Sequence, residues 1–155
     1  QIGKKRPKKF RAMFKLPYRP GTLKAVALDK SGNALGETTL QTAGQKTRLH
    51  LAPEKTTLRA DGQSLCFIPI TLTDAAGIWK PCANAKVHLE IEGPAALQAL
   101  GSAATQTDET YLGSSHTTWL GRALAVIRAG TEPGKVRVTV TAEGYEPQYV
   151  DLTLE

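Results

Sequence analysis

The stretch from Asp61 to Ala85 shows the clearest alternation of apolar and polar positions in the chain. Its inward positions alternate with outward ones, which is the period of a strand with one face on a core. The residues predicted to face inward are Cys66, Ile68, Ile70 and Leu72. The run Asp74-Ala75-Ala76-Gly77 then supplies a turn, and Pro81 restarts an extended chain. This stretch predicts a strand, a turn and the approach to the next strand of a β-sandwich.

The same alternation recurs elsewhere and predicts an all-β chain. Further strands are predicted over residues 8–16, 22–28, 34–42, 47–51, 57–60, 86–92, 95–101, 117–128, 136–141 and 149–154. In the first of these Phe10 should face inward, and in the strand 117–128 Trp119 should belong to the core. Helical periodicity is weak and confined to residues 95–104, where glycine and proline flank a short segment.

The polar link Ala52-Pro53-Glu54-Lys55 is the best domain boundary in the sequence. It predicts a small sandwich, or part of one, over residues 1–53. Residues 56–155 have the length and strand spacing of an immunoglobulin-like β-sandwich domain. The start Gln1-Ile2-Gly3-Lys4 has neither a Met nor an apolar leader, which suggests a piece of a longer polypeptide.

The net charge of +6 is concentrated in the first fifteen of the 155 residues. The basic residues there are Lys4, Lys5, Arg6, Lys8, Lys9, Arg11 and Lys15. Such a run is compatible with nucleic-acid binding, but no stacking aromatics or recognition helix accompany it, so a solvated strand face is preferred and no nucleic-acid partner is expected. No apolar run approaches the roughly 20 residues that cross a bilayer, so no membrane insertion is expected.

Candidate catalytic and metal-binding patterns are weak throughout. The pair His88-x-Glu90 matches half of a zinc deaminase signature whose cysteines are missing, and Ser114-Ser115-His116 lacks a nucleophile elbow. Cys66 and Cys82 are either a disulfide or two thiols, and neither has a partner at zinc-ligand spacing. We therefore expect no catalytic residue, no cofactor and no metal site in this chain.

Two aromatic residues, Phe67 and Trp79, are predicted to be more exposed than the rest. Together they could form a docking patch for another domain or a sugar site. A wider set of aromatic residues could form a platform on which the C–H faces of a sugar stack, namely Trp79, Tyr111, Trp119, Tyr145 and Tyr149. Docking is the preferred interpretation.

An ordered set of motifs resembles the C-terminal region of bacterial family 2 glycoside hydrolases, the β-galactosidase-like enzymes. The matching motifs are Pro17-Tyr18-x-Pro20-Gly21-Thr22-Leu23, Thr42-Ala43-Gly44, the Asp61 to Asp74 strand, Pro81 and Gly121-Arg122-Ala123 leading to Arg128-Ala129-Gly130. They recur in order across nearly the whole chain. One departure is the segment Leu97 to Ala104, where the family often has a Gly-x-Gly-Asn-like turn.

The resemblance implies two immunoglobulin-like β-sandwich modules, the first N-terminally truncated, which follow a catalytic barrel. The family's two catalytic glutamates lie on that barrel, and nothing in this sequence matches their motifs. The implied role is therefore a non-catalytic accessory region of a β-galactosidase-like enzyme, with the upstream domains of the same chain as partners. The alternative is a carbohydrate-binding or surface-adhesion module. The resemblance also implies a parent enzyme that is periplasmic or secreted in a Gram-negative bacterium.

Overall fold

The computed structural model describes residues 2–155 and divides into two compact units, Gln1–Thr42 and Ala43–Glu155. Both are built from β-strands and turns, and residues 2–155 contain no helix. The strands are β1 (Thr22–Leu28), β2 (Ala34–Gln41), β3 (Arg48–Leu51), β4 (Thr57–Leu58), β5 (Leu65–Thr73), β6 (Lys86–Glu92), β7 (Ala95–Gly101), β8 (Ser115–Thr117), β9 (Arg122–Ala129), β10 (Gly134–Ala142) and β11 (Gln148–Leu154). The all-β expectation is confirmed.

The first unit is organised around one antiparallel hairpin of β1 and β2. Its turn forms as expected, because Asp29 Oδ1 accepts the Asn33 amide at 2.8 Å and Gly32 adopts the left-handed φ of 91° that the turn needs. Leu23 lies opposite Leu40 on the hairpin, and every residue of both strands is exposed.

The predicted strand over residues 8–16 is wrong. Lys8 and Arg11 exchange two backbone hydrogen bonds of 2.8 and 3.0 Å, and Lys9 and Phe10 between them have φ of 48° and 63°. Positive φ at both central residues is the requirement of a type I′ turn, so the chain reverses where the sequence predicted extension. Phe10 lies at the tip of this turn, fully exposed rather than facing inward.

The second unit is a sandwich of two sheets. One sheet has the strand order β4-β11-β10-β6-β8, and the other has the order β3-β5-β9-β7. All pairings are antiparallel except the short parallel pair of β4 and β11. Consecutive strands β5 and β6 belong to opposite sheets, as do β9 and β10, which gives the Greek-key connections of an immunoglobulin-like fold.

The core lies between these two sheets and is formed by the alternate residues that the sequence predicted. The inward side of β5 is completely buried at Cys66, Ile68, Ile70 and Leu72, and it faces the buried valines of β10, Val136, Val138 and Val140. Because each strand buries only every second residue, the other side of each sheet is free to carry a surface site.

The division between the two units lies after Thr42, ahead of the link at residues 52–55 where the sequence places it. The reason is β3, which pairs with β5 through Leu49 opposite Leu72 and Leu51 opposite Ile70. Leu49 is buried in the core of the second unit. The strand that sequence analysis assigned to the first module is therefore the edge strand of the second sandwich.

The predicted continuous strand 117–128 is interrupted. Trp119 and Arg122 exchange backbone hydrogen bonds of 2.8 and 3.0 Å around Leu120 and Gly121, whose φ values are 49° and 69°. This second turn of type I′ character separates β8 from β9. It places Trp119 on the surface, 44% exposed, so the prediction that Trp119 belongs to the core is wrong.

No helix in residues 2–155 is long and apolar enough to cross a membrane.

Candidate functional site

A groove lies on the outer face of β7 and β9 in the second sandwich and is the strongest candidate site. Its volume is about 640 Å³, within the 300–1,000 Å³ that is usual for small-molecule sites. It is lined by Trp79, Ala99, Gly101, Ser102, Ala103, Tyr111, Trp119, Leu120, Arg122, Ala123, Leu124 and Val126. The lining is mostly apolar, with three large aromatic rings and one charged side chain.

Trp79 is fixed in this wall by two contacts. Its indole Nε1–H donates to the carbonyl oxygen of Leu120 at 2.9 Å, and the guanidinium carbon of Arg122 lies 3.8 Å from the ring centroid. The second contact is a cation–π interaction, which for an indole is favourable even when partly hydrated. Trp79 therefore presents its remaining surface, 37% of the residue, in a defined orientation.

The loop that enters the groove from Asp74 is held by a carboxylate. Asp74 accepts hydrogen bonds from the amides of Gly44 at 2.7 Å, Ala76 at 2.8 Å and Ile78 at 2.8 Å. These hydrogen bonds lower the pKa of Asp74 below its ordinary value of 3.8, and the bond from the Gly44 amide has the largest effect. The positive charge of Lys80 lowers the pKa further. The loop leading to Trp79 is thus tied to the body of the sandwich by an ionised side chain.

Tyr111 closes the groove on the β7 side. The backbone carbonyl oxygen of Tyr111 accepts a hydrogen bond from the Leu100 amide at 2.8 Å. The Tyr111 ring stacks on His116, with the ring centroids 5.4 Å apart and an angle of 8° between the ring planes. His116 is completely buried. Glu109 lies next to it, and its carboxylate accepts the Thr117 amide at 2.8 Å and the Thr117 hydroxyl at 3.0 Å, so the pKa of Glu109 is lowered. The loop between β7 and β8 is therefore anchored beside the groove.

One polar atom in the lining has no protein partner. The hydroxyl oxygen of Ser102 is buried and makes no hydrogen bond to any residue in the part of the chain that the structure describes. Buried hydroxyls are usually paired, since an unpaired one costs about 1–3 kcal/mol. Ser102 thus marks a place where the groove can accept a polar ligand atom or a water molecule.

The structure places the two residues singled out from the sequence, Phe67 and Trp79, on the surface with exposures of 38% and 37%. Trp79 lines the groove and Phe67 does not, although Phe67 pairs in register with Val126, which does. Among the groove residues that sequence analysis did not assign to a site are Ser102, Leu120, Arg122 and Leu124. They lie on a loop, a turn and the outward side of β9, so no sequence motif brings them together.

His88, Ser115 and Glu90 form a contact that the sequence did not reveal. Ser115 Oγ lies 2.9 Å from His88 Nδ1, and Glu90 Oε1 lies 3.5 Å from His88 Nε2. The order resembles a catalytic triad, but Glu90 is beyond good hydrogen-bond distance and all three side chains lie on an open sheet face. The two grooves found among residues 2–155 are lined by other residues. We assign this contact to stabilisation of the β6–β8 pair.

The two cysteines are free thiols, Cys66 buried and Cys82 exposed. Burial raises the pKa of the Cys66 thiol, and its Sγ–H donates to the Lys55 carbonyl oxygen at 3.2 Å. Among residues 2–155 no group of three or more His, Cys, Asp and Glu side chains is arranged to hold a metal ion.

The two sheets and their Greek-key connections define an immunoglobulin-like β-sandwich domain. Comparison with family models identifies the family: the model described as glycoside hydrolase family 2 C-terminal domain 5 matches residues 49–151. A second model, for a domain of unknown function, matches residues 1–36. The first match spans more than half of the chain, so the chain belongs to the glycoside hydrolase family 2 C-terminal domain 5 family.

Similarities to individual proteins are consistent with this family assignment. Beta-galactosidase BoGH2A of Bacteroides ovatus is 28% identical over 142 residues, which are 92% of this chain and 17% of that protein. A family 2 glycosyl hydrolase from Bacteroides cellulosilyticus is 33% identical with a TM-score of 0.87, over 90% of this chain and 18% of that one. A beta-glycosidase from Bacteroides vulgatus has a TM-score of 0.82 over 89% of this chain and 18% of that one, and at 22% identity it shows the fold alone.

The chain thus spans less than a fifth of the length of these relatives. What it matches is a C-terminal accessory domain, and the resemblance found from the sequence motifs is confirmed. In the relatives, this region is a small part of a larger multidomain chain.

Proposed function

We propose that this chain is the C-terminal accessory region of a longer glycoside hydrolase that cleaves β-galactosides or related glycosides. The observation that supports the proposal most directly is the match of residues 49–151 to a family 2 C-terminal domain. The activity of the whole protein is inferred from the relative named a beta-galactosidase. Within it, the two units serve as non-catalytic sandwich modules that pack on other domains of the same polypeptide.

The β1–β2 hairpin supports this packing role. One side of the hairpin carries Leu23 opposite Leu40, with exposures of 39% and 70%. A two-stranded hairpin is at best marginally stable in water unless a third strand or a second layer covers its apolar side. We infer that the first unit is part of a sandwich, and that strands from another part of the polypeptide complete it.

Phe67 supplies a second contact with a neighbouring domain. It lies on the outer face of β5, beside the groove residue Val126, but it is not itself part of the groove lining. An exposed phenylalanine next to aliphatic neighbours forms an apolar patch of the kind that marks domain contacts. In the full-length enzyme, Phe67→Ser should lower the temperature at which activity is lost, whereas Tyr149→Ser on the opposite sheet should not.

The natural polypeptide can be tested directly. Antiserum raised against this chain is used to probe fractionated lysate of the source organism, and each fraction is assayed with a chromogenic β-galactoside. The expected result is a band several times larger than 16.6 kDa that follows the activity. A band near 16.6 kDa in fractions without activity would overturn the proposal, as would turnover of the substrate by the purified 155-residue chain.

A further inference from the structure

We propose that the groove between Trp79 and Tyr111 is a saccharide-binding site, which takes a pyranose ring with its apolar face against the indoles. The inference goes beyond the accessory role of the chain and does not rest on it. It depends on the shape of the groove, its aromatic walls, and two polar groups that make no hydrogen bond to another side chain in the described part of the chain.

The aromatic walls are the first argument. Trp79, Trp119 and Tyr111 all line one cavity and remain 37%, 44% and 49% exposed. Exposing three large rings around one concavity is costly, because a large apolar surface in contact with water is unfavourable. A pyranose ring presents a flat array of C–H groups on one face, which covers an aromatic ring while its hydroxyls stay hydrated at the edge.

The polar groups are the second argument. The Arg122 guanidinium is held over Trp79, and it makes no hydrogen bond or ion pair to any side chain among residues 2–155. The groove lining contains no carboxylate. The Ser102 hydroxyl is also buried without a partner. A saccharide offers the hydroxyl or carboxylate oxygens that these two groups require, placed around an apolar ring.

The same two groups argue against an apolar protein segment as the occupant. Covering the groove with aliphatic side chains would bury the Arg122 donors and leave the Ser102 hydroxyl unpaired. An unsatisfied buried polar group is costly, and a buried unpaired charge is more so. A ligand that is apolar on one face and polar along its edge avoids both costs.

The rim of the groove is also pre-organised. The Leu120 carbonyl accepts the Trp79 indole N–H, and Leu120 itself has φ of 49°, a left-handed conformation that is rare for a leucine. Non-glycine residues in this region persist where the surrounding structure enforces them, and they are concentrated at functional sites. Trp79 is thus fixed before a ligand arrives, which limits the ordering cost of binding.

Binding is tested on the purified 155-residue chain by tryptophan fluorescence and isothermal titration calorimetry. The probes are methyl β-galactoside, lactose, cellobiose and galacturonic acid, so that neutral and acidic pyranoses are compared. We expect saturable binding of at least one probe, with a dissociation constant weakened about tenfold in Trp119→Ala and in Arg122→Gln. Preference for galacturonic acid would indicate that Arg122 binds the carboxylate of the sugar, and preference for a neutral sugar would indicate that it binds sugar hydroxyls.

The chain offers a matched control. Arg137 lies over the Tyr149 ring at 4.5 Å on the opposite sheet, a cation–π pair outside the groove. Tyr149→Ala should therefore leave saccharide binding unchanged. Because removal of an indole can also disturb folding, Ala103→Phe is a second variant. It fills the groove from an exposed position while all the contacts of Trp79 remain, and it should abolish binding with an unchanged circular dichroism spectrum.

Three results would overturn the proposal. The first is the absence of saturation by all four probes up to roughly 50 mM, well above the millimolar range of weak recognition. The second is an equal loss of affinity in Tyr149→Ala. The third is protection of Trp79 and Trp119 from hydroxyl-radical labelling in the full-length polypeptide without sugar, because another protein domain would then occupy the groove.

Discussion

Gly121 offers a sharp test of how the groove is built. It lies in the turn before β9 with φ of 69°, and its carbonyl accepts the Leu72 amide at 2.8 Å. A Cβ added there would lie 2.5 Å from the carbonyl oxygen of Lys80. We therefore compare Gly121→Ala with Gly77→Ala, whose φ of 81° is similar and whose Cβ would meet no atom within 4 Å.

The structure allows the two costs to be separated. Gly77→Ala places an alanine in the left-handed region and should destabilise the fold by about 1 kcal/mol. Gly121→Ala adds a collision with backbone, and relief of that collision displaces the Lys80 carbonyl, which accepts the Ala83 amide at 3.1 Å. Overpacking of this kind costs about 1–3 kcal/mol more. We expect a total loss of about 3 kcal/mol for Gly121→Ala.

The assay is urea unfolding followed by far-ultraviolet circular dichroism and tryptophan fluorescence, supported by thermal melts. With about 4 °C of melting temperature per kcal/mol for a domain of this size, Gly121→Ala should melt about 12 °C lower and Gly77→Ala about 4 °C lower. The reasoning is refuted if the two variants agree within about 0.5 kcal/mol, because backbone contact at Gly121 would then contribute nothing.

Three further predictions concern titration, thiol reactivity and the first unit. The carboxylates of Asp74 and Glu109 have lowered pKa values in the folded chain, so their stabilisation is complete above the ordinary values of 3.8 and 4.5 and is lost as pH falls through the folded values. Unfolding free energy should therefore fall below about pH 4, less steeply in Asp74→Asn, and an unchanged slope would contradict this. An aromatic disulfide reagent should modify exposed Cys82 quickly and buried Cys66 only on unfolding, and two equally fast thiols would exclude the buried position. Phe10→Ala should leave the melting temperature within about 1 °C, since the ring touches solvent, whereas a large drop would place it in a core.

The core of the second sandwich could be predicted from the sequence because burial there follows the strand period without interruption. Every predicted inward residue of β5 is buried, and so are the three valines of β10. Alternation reports which side of a strand faces a core, and in an antiparallel sandwich that is most of what determines the fold. It does not report which strand pairs with which, and β3 was therefore assigned to the wrong unit.

The candidate site could be predicted only in part. Exposure of Phe67 followed from its outward position on β5, and exposure of Trp79 was also expected, but the groove needs in addition Tyr111 and Ser102 from the segment between β7 and β8 and Arg122 from the start of β9. These residues are brought together by the pairing of β7 with β9, a contact between distant parts of the chain. Sequence periodicity contains no information about such contacts, so the groove became visible only in three dimensions.

The two wrong strand predictions have one physical cause, and it explains why Trp119 is available to the groove. The two residues that flank a two-residue turn are cross-strand partners on the same face of the sheet, although they are three positions apart in sequence, so the inward and outward positions exchange at the turn. A strand predicted straight through the turn therefore assigns one side of it to the wrong face, as happened at Trp119, which shares the exposed face of Arg122. Only the turn residues could reveal it, and neither Lys9-Phe10 nor Leu120-Gly121 is the Asn-Gly or Asp-Gly pair that marks such turns. At Leu120 the chain accepts an unfavourable backbone conformation that an asparagine would adopt more easily. The turn at Leu120 places the leucine side chain in the groove lining and turns Trp119 outward beside it. Leu120, whose backbone conformation is unusual for a leucine, thus helps to form the groove.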